Sequence, residues 1–307
     1  MNRRLTISIV SLIATTLILV LKFLAYYVTS SAALKSDAME SVVNLVSGAF
    51  TLGAVIFAER PADTSHPYGH GKIEYFSAAF EGGLISLAAI LILYEAVKSF
   101  ALGSPVRHLD YGLLFNIGAG TLNGLLGFFL IRAGKKYQST AITADGHHIL
   151  SDFYTTVGLG IGLFIVKLTG WHWMDSVLAA AMGGFLIFTG FKLVKTSSKA
   201  LLDEEDQELI QKLQTSIAQN KTPDIINTHD IRTLRSGRYT HVDIHFTIPE
   251  FYSLEKSHDL VENFGKKVLQ DLNIEGEFHS HMDPCRREYC KVCTLENCPV
   301  RNEPFKV

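Results

Sequence analysis

Charged side chains are scarce in this sequence. They make up 19% of its 307 residues, whereas soluble domains average about 25%. The net charge of −2 shows no excess of basic residues, which argues against the basic face that nucleic-acid-binding proteins normally have. The sequence also lacks a nucleophile triad, a phosphate-binding loop and a nucleotide-binding turn. Neither a nucleic-acid partner nor an enzymatic activity is therefore expected.

Long apolar runs take the place of the missing charge. The chain is 48% hydrophobic, and stretches within its first 200 residues approach or exceed the ~20 residues needed to cross a bilayer. They lie at about 5–28, 33–57, 76–99, 111–131, 143–168 and 174–194. The first run is too long for a signal peptide, and no small-residue cleavage site follows it. We therefore expect an α-helical membrane domain of six transmembrane helices over residues 1–200.

The distribution of lysine and arginine predicts the orientation of these helices. Basic residues concentrate before the first run and after the second, fourth and sixth runs, as in Arg3, Arg60, Lys135 and Lys199. Such residues favour the cytoplasmic side of a membrane. We therefore expect both termini in the cytoplasm, and the protein in the plasma (inner) membrane.

Two of the apolar runs carry polar residues four positions apart, Glu40 with Asn44 and His148 with Asp152. Side chains at this spacing lie on one face of a helix. An ionisable group in the membrane interior is costly and is kept chiefly where it binds or moves an ion. Asn44 alone would fit an interhelical hydrogen bond, but two matched pairs favour a shared ion site. Two aspartates stand three residues before these pairs, Asp37 and Asp145, and their part in the site stays open.

The short loop between the second and third runs contains Asp63, His66 and His70 within eight residues. Most loops of this kind are solvated turns with incidental histidines. Here a carboxylate and two imidazoles can converge on one cation. The loop is therefore predicted to hold a second metal site.

After residue 200 the sequence becomes mixed and polar, and its apolar periodicity predicts alternating helices and strands. The elements are a helix at 207–219, strands at 229–235 and 239–248, a helix at 253–270 and a strand at 274–282. This αββαβ order indicates a small cytoplasmic α+β domain of ferredoxin-like type over residues 201–284.

A metal site is predicted on the open face of this domain. In the second strand, the core-facing residues are expected to be Val242, Ile244, Phe246 and Ile248, and the residues on the open side His241, Asp243, His245 and Thr247. The candidate ligands outside the core are His229, His245, His258, His281 and Asp283. Any one of them alone would be an ordinary surface residue, but their number favours a metal site.

Cysteine is confined to the last 23 residues, a tail at 285–307. The residues are Cys285, Cys290, Cys293 and Cys298. Disulfides are improbable on the reducing side of the membrane. The spacing fits a tetrahedral zinc site or an iron–sulfur centre, with reduced surface thiols as the alternative.

Together these motifs resemble the cation diffusion facilitator family, the proton-coupled exporters of divalent transition metals. The resemblance covers nearly the whole chain: the apolar runs, the loop His66-Pro-Tyr-Gly-His-Gly-Lys72, the pair His148-x-x-x-Asp152 and the ending His281-Met-Asp-Pro. It implies a metal/proton antiporter that works by alternating access. It also implies a homodimer joined through the cytoplasmic domain.

The resemblance further implies roles for the candidate residues. The transport site would be Glu40, Asn44, His148 and Asp152; the second site Asp63, His66 and His70; and a binuclear cytoplasmic site His229, His245, His258, His281 and Asp283. Lys72 would join an intersubunit charge interlock with Asp203 or Glu204.

Glu40 and Asn44 depart from the family pattern, because zinc-type members usually have Asp or His followed by Asp at these two positions. The neutral amide leaves Glu40 and Asp152 to balance a divalent ion. One imidazole with three oxygen ligands suits Zn, Fe, Mn, Co or Ni, so the sequence does not select the metal. Because metal binds the deprotonated ligands, loading is expected to displace protons.

Two other functions are open at the level of sequence. The chain could be a membrane-anchored metal sensor or storage protein that binds metal without moving it. It could also be a membrane enzyme that uses the cysteine tail for redox work. Polar pairs within two apolar runs favour transport.

Overall fold

The computed structural model describes residues 3–29, 32–102, 110–169, 173–291 and 293–302. The chain divides into two compact units, Met1–Leu202 and Asp203–Val307. The first unit is helical, and the second combines helices with a small sheet. A separate tail over 285–307 stays a prediction.

The described residues of the first unit form six long helices. They are α1 (Arg3–Thr29), α2 (Ala32–Ala58), α3 (Ile73–Leu102), α4 (Asp110–Lys136), α5 (Thr140–Thr169) and α6 (Trp173–Leu201). Each helix covers one predicted apolar run. Among the described residues, three stretches are long and apolar enough to cross a membrane: Arg3–Leu24, Ile73–Lys98 and Ile117–Lys136. The apolar part of α2, Asn44–Ala58, is shorter.

The described part of this unit exposes large apolar side chains, and it buries polar and ionisable ones beside its apolar clusters. Leu17 and Val97 are more than half exposed, whereas Ser47, Glu81 and Asp145 are buried. A soluble domain shows the reverse pattern. This arrangement suits a protein whose outer surface contacts lipid and whose interior holds ionisable groups.

Glycine allows two helix pairs to pack at close range. A Cβ atom on Gly82 of α3 would lie 2.8 Å from the carbonyl oxygen of Gly190 in α6. A Cβ atom on Gly146 of α5 would lie 3.0 Å from the carbonyl oxygen of Gly127 in α4. Small residues at such positions let helix backbones approach closely in membranes. With α3 held against α6 and α5 against α4, other faces of α3 and α5 remain available to contact α2.

The second unit contains the predicted order of helix, two strands, helix and strand. The elements are α7 (Gln207–Asn220), β1 (Asn227–Ser236), β2 (Tyr239–Ile248), α8 (Leu254–Asp271) and β3 (Gly276–Pro284), and a short 3₁₀ helix follows at Arg287–Lys291. The sheet order is β1-β2-β3. β1 and β2 are antiparallel, whereas β2 and β3 are parallel, because α8 forms the crossover that a parallel pair requires.

The core of this unit lies between one face of the sheet and the two helices. Val242, Ile244, Phe246 and Ile248 are buried there, as predicted, together with Leu213 and Ile217 of α7 and Val261, Phe264 and Val268 of α8. The other face of β2 carries Asp243, which is exposed, and His245, which is half-buried. His241 and Thr247 also belong to that face but are buried.

Candidate metal centres

A buried polar cluster joins α2 and α5. Asn44, His148 and Asp152 are 4%, 3% and 8% exposed. His148 Nε2 lies 2.9 Å from Asn44 Oδ1, and Asn44 Nδ2 donates a hydrogen bond to Asp152 Oδ2. The structure therefore brings together three of the four residues predicted for the transport site. Glu40 lies in α2, but its side chain is outside the described residues.

Glu81 of α3 is a further carboxylate in this cluster and is fully buried. Its Oε1 accepts hydrogen bonds from Ser47 Oγ and, at 3.2 Å, from Thr51 Oγ1. Its Oε2 lies 3.8 Å from His148 Nδ1. Neither Glu81 Oε2 nor His148 Nδ1 has a hydrogen-bond partner among the residues that the structure describes. One oxygen of Glu81 is thus held by α2, and the other faces the ring of His148.

The pattern of polar residues paired four positions apart does not identify Glu81. Glu81 shares the third apolar run with Glu95 and Lys98, which lie 14 and 17 positions further along the chain. A carboxylate within a membrane-spanning stretch is a sign of function even when it has no ionisable partner one helical turn away.

Asp145 extends the cluster to α1. Its Oδ2 accepts a hydrogen bond of 3.0 Å from Ser11 Oγ. Asp145 also interacts electrostatically with Glu81 and His148. Side chains from α1, α2, α3 and α5 therefore meet in one buried polar region.

A second buried charged network has a different character. Arg4 forms ion pairs with Glu59, at 2.9 Å, and with Glu74. Ser139 Oγ donates to the other oxygen of Glu74 at 2.5 Å. Both carboxylates therefore pair with the same guanidinium. Glu81, by contrast, has no lysine or arginine partner in the described part of the chain.

The loop before α3 brings Asp63, His66 and His70 together, with ligand atoms within 4.8 Å of one another. His66 Nδ1 lies 3.2 Å and His70 Nε2 3.4 Å from the Asp63 carboxylate. Hydrogen bonds from the backbone amides of His66 and Ser65 lower the pKa of Asp63. The carboxylate is therefore ionised and available to a cation over the physiological range.

In the second unit, the pairing of the three strands aligns three histidines in a row. His229 of β1 pairs with His245 of β2, which pairs with His281 of β3. Asp283 lies beside all of them: its carboxylate oxygens are 3.5 Å from His229 Nε2, 3.3 Å from His245 Nδ1 and 3.4 Å from His281 Nε2. We call these four residues the histidine row. Its donors suit a divalent transition metal.

His258, the fifth predicted cytoplasmic ligand, does not join the histidine row within one chain. It is exposed on α8, where its Nε2 lies 3.5 Å from Glu262. The reason is the placement of α8, which packs on the core face of the sheet through Val261 and Phe264. The row lies on the opposite face.

The structure also assembles a group that the sequence analysis did not predict, formed by His241, Glu277 and His279. His241 was placed on the open side of β2, but its neighbours on β3 depend on strand register. The pairing register of β2 with β3 cannot be read from the sequence.

The cysteine tail folds around Arg301. Its guanidinium donates hydrogen bonds to the carbonyl oxygens of Cys290, Cys293 and Leu295. Burial raises the pKa of the Cys285 thiol. Among the described residues, no group of three or more ligand atoms within 4.8 Å contains a cysteine. The zinc or iron–sulfur site predicted for Cys285, Cys290, Cys293 and Cys298 stays a prediction, as does the interlock of Lys72 with Asp203 or Glu204.

Two family models match the chain in sequence. The model "Cation efflux transmembrane domain" matches residues 8–202, and "Cation efflux protein, cytoplasmic domain" matches residues 203–285.

Individual relatives align over most of both chains. An uncharacterized transporter of Synechocystis is 32% identical over 264 residues, which cover 86% of this chain and 85% of the relative. The cation-efflux pump FieF of Shewanella oneidensis is 27% identical over 278 residues, covering 90% and 93%. The pump of the same name from Citrobacter koseri is 26% identical over 283 residues, covering 91% and 92%. Because both units match and the relatives align over nearly their whole length, the chain belongs to the cation diffusion facilitator family of membrane-integral cation efflux transporters.

Proposed function

We propose that this protein exports a divalent transition metal from the cytoplasm in exchange for protons, by alternating access. The observation that carries the proposal is the buried cluster of Asn44, His148, Asp152 and Glu81 between α2, α3 and α5. The names of the FieF relatives, cation-efflux pumps, support the direction of transport. In this proposal all six helices cross the membrane, both termini lie in the cytoplasm, and the second unit is a ferredoxin-like domain.

The need for such a cluster follows from ion solvation. A hydrated dication cannot enter hydrocarbon, so fixed ligands must replace its water shell. Buried carboxylates without a cation are themselves costly. Glu81, which has no lysine or arginine partner among the described residues, therefore needs either a bound proton or a bound metal nearby, and exchange of protons for metal at the cluster is the proposed transport step.

His148 couples metal binding to proton release. In the structure its Nε2 faces the amide oxygen of Asn44, so a hydrogen bond there requires a proton on Nε2. When both ring nitrogens carry protons, a metal that binds through Nε2 displaces one of them, and the other stays on Nδ1, which faces Glu81 Oε2. A singly protonated ring would only move its proton from Nε2 to Nδ1 and release none. A carboxylate behind a metal-binding histidine fixes the orientation of its ring and raises its basicity.

The donor set constrains the substrate to a class of ions. One imidazole with carboxylate and amide oxygens suits Zn, Fe, Mn, Co or Ni. Glu81 supplies a negative charge in the cluster, where Asn44 supplies none. The carboxylate of Glu81 thereby replaces the negative charge that an aspartate at position 44 would supply.

The histidine row is proposed as a regulatory site. It lies in the second unit, and the buried cluster of Asn44, His148, Asp152 and Glu81, which we call the proposed transport cluster, lies in the first. A metal ion there would bias the membrane domain towards release, as a coupling between two separate sites. The matching cytoplasmic family model supports a homodimer joined through this unit.

The test is flux in vesicles reconstituted with the purified full-length protein. Zinc or iron uptake should require a pH gradient, and His148→Ala and Asp152→Ala should abolish it. His147→Ala is the matched control, because His147 is the adjacent histidine on α5 and lies outside the cluster; its flux should persist. Metal binding without flux in the unmodified protein would favour the sensor or storage alternative. Undiminished flux in the His148 variant would discard the site.

A further inference from the structure

His241, Glu277 and His279 form a compact group at one end of the sheet in the second unit. Their ligand atoms all lie within 4.8 Å of one another. His241 Nδ1 is 2.8 Å and His279 Nε2 is 3.2 Å from the same carboxylate oxygen, Glu277 Oε1. For comparison, neighbouring ligands of a tetrahedral zinc ion with ~2.05 Å bonds are about 3.3 Å apart.

The backbone explains why these three side chains converge. His241 and Glu277 are direct partners in the parallel ladder of β2 and β3. Glu277 and His279 are two residues apart on β3, so they lie on the same face of the sheet. The side chain of His241 is only 7% exposed, and the ring of Tyr239 packs against it at 5.0 Å. The group therefore has one rigid, buried ligand and two ligands that are accessible from solvent.

We propose that His241, Glu277 and His279 bind a divalent transition-metal ion, at a site distinct from the histidine row and from the proposed transport cluster. Two imidazoles and one carboxylate favour Zn²⁺, Co²⁺, Ni²⁺ or Fe²⁺ over Mg²⁺ and Ca²⁺, which prefer oxygen ligands alone. Three protein ligands leave at least one coordination position for water. The proposal does not depend on transport by the membrane domain.

A bound ion here would affect the histidine row through the backbone. It would link β2 to β3 near the start of β3, and β3 also carries His281 and Asp283. Both groups use side chains of β2 and β3 on the same sheet face, and the histidine row adds His229 of β1. Filling the first site would hold β3 in the register that the second site requires, so binding at the two sites should be cooperative.

The experiment uses full-length protein in detergent, with Co²⁺ alone as the probe. Bound cobalt is counted by elemental analysis after equilibrium dialysis, and its visible absorption reports the coordination geometry. The background variant His245→Ala/Asp283→Ala removes ligands of the histidine row. In this background, His279→Ala and Glu277→Gln should each lower the bound cobalt by one ion per chain. Both residues are about half exposed, so neither substitution should prevent folding.

Two controls distinguish this site from general surface binding. Glu275→Gln removes a nearby carboxylate that pairs with Arg238 instead, and His258→Ala removes an exposed histidine of α8. Both should leave the cobalt count unchanged. An unaltered count in the His279 and Glu277 variants, or an equal loss in the two controls, would mean that the group is only a hydrogen-bonded surface cluster.

Discussion

Glu81 Oε2 lies 3.8 Å from His148 Nδ1, across the interface of α3 and α5. The other oxygen of Glu81 is held by Ser47 and Thr51 of α2. A single buried carboxylate therefore links α2, α3 and α5. It faces Nδ1 of His148, the ring nitrogen on the opposite side from Nε2, which is the proposed metal ligand. This relationship leads to the first prediction.

Replacing Glu81 by glutamine should lower the affinity for transported metal and the proton-coupled flux by about 10- to 100-fold, the usual effect of losing a carboxylate behind a metal-bound histidine. The shape of the side chain is kept, so the loss reports its charge. The measurement is the dependence of vesicle flux on metal concentration and pH.

A double variant tests whether Glu81 acts through His148. If it does, the metal affinity of Glu81→Gln combined with His148→Ala should be no lower than that of His148→Ala alone; metal binding is measured here because the His148 variant is expected to have no flux. If the losses of affinity in the two single variants multiply in the double variant, Glu81 does not act through His148. Ser47→Ala removes only one hydrogen bond to Glu81 and should have a smaller effect.

The loop site gives a prediction about pH. Hydrogen bonds from the backbone amides of His66 and Ser65 lower the pKa of Asp63 below its ordinary value of 3.8, so the carboxylate is ionised at both mildly acidic and neutral pH. Asp63→Asn should therefore weaken zinc binding by the same factor at pH 5.5 and pH 8, with the pH dependence coming from the histidines. Calorimetric titrations of the protein and the variant with zinc at both pH values measure this factor. A ratio of affinities that differs between pH 5.5 and pH 8 would contradict the prediction.

The same shift has a consequence for stability. A depressed carboxyl pKa stabilises the folded loop above the unfolded value, near 3.8. This contribution should be lost as the pH falls through the lower, folded value. It should therefore be constant at neutral pH.

His245→Ala removes the central ligand of the histidine row. We expect it to reduce the stimulation of flux by cytoplasmic metal and to leave the affinity of the proposed transport cluster nearly intact. Flux measured as a function of metal on each side of the vesicle separates the two effects. His258→Ala serves as the control. Loss of stimulation in that variant would instead make His258 a ligand, contrary to its position on α8.

The contact of α3 with α6 predicts a packing effect. In Gly190→Ala, the new Cβ would lie 2.7 Å from the carbonyl oxygen of Gly82. Forcing these helices apart should cost about 1–3 kcal/mol and lower the unfolding midpoint measured by circular dichroism in detergent. Gly184→Ala, on the same helix with nothing within 4 Å of the new atom, should leave the midpoint unchanged or raise it. An equal decrease in both variants would argue against the packing account.

Local patterns predicted much of what the structure contains. His148 and Asp152 were identified by their spacing, since one helical turn places them on the same face. Asp63, His66 and His70 are close in sequence, so a short loop suffices to gather them. The alternation of Val242, Ile244 and Phe246 identified the core face of β2, because side chains of a strand alternate between its two faces.

Other features depend on contacts between distant segments. Glu81 meets Ser47 and His148, which are 34 and 67 positions away. His258 matched the pattern of a ligand, yet α8 carries it on the face of the sheet away from the histidine row. The group of His241, Glu277 and His279 exists only because β2 and β3 pair in one particular register.

The sequence by itself determined the apolar runs, the paired ligands within them, the αββαβ order and the direction of each side chain within its own element. Those properties follow from the fixed repeats of helices and strands. The tertiary structure alone decided which elements contribute to each cluster: Glu81 joins the buried cluster of α2 and α5, His258 lies apart from the histidine row within one chain, and a further group of possible ligands forms on the sheet. Helix packing and strand register are set by contacts over the whole unit, so they cannot be deduced from the periodicity of a single helix or strand.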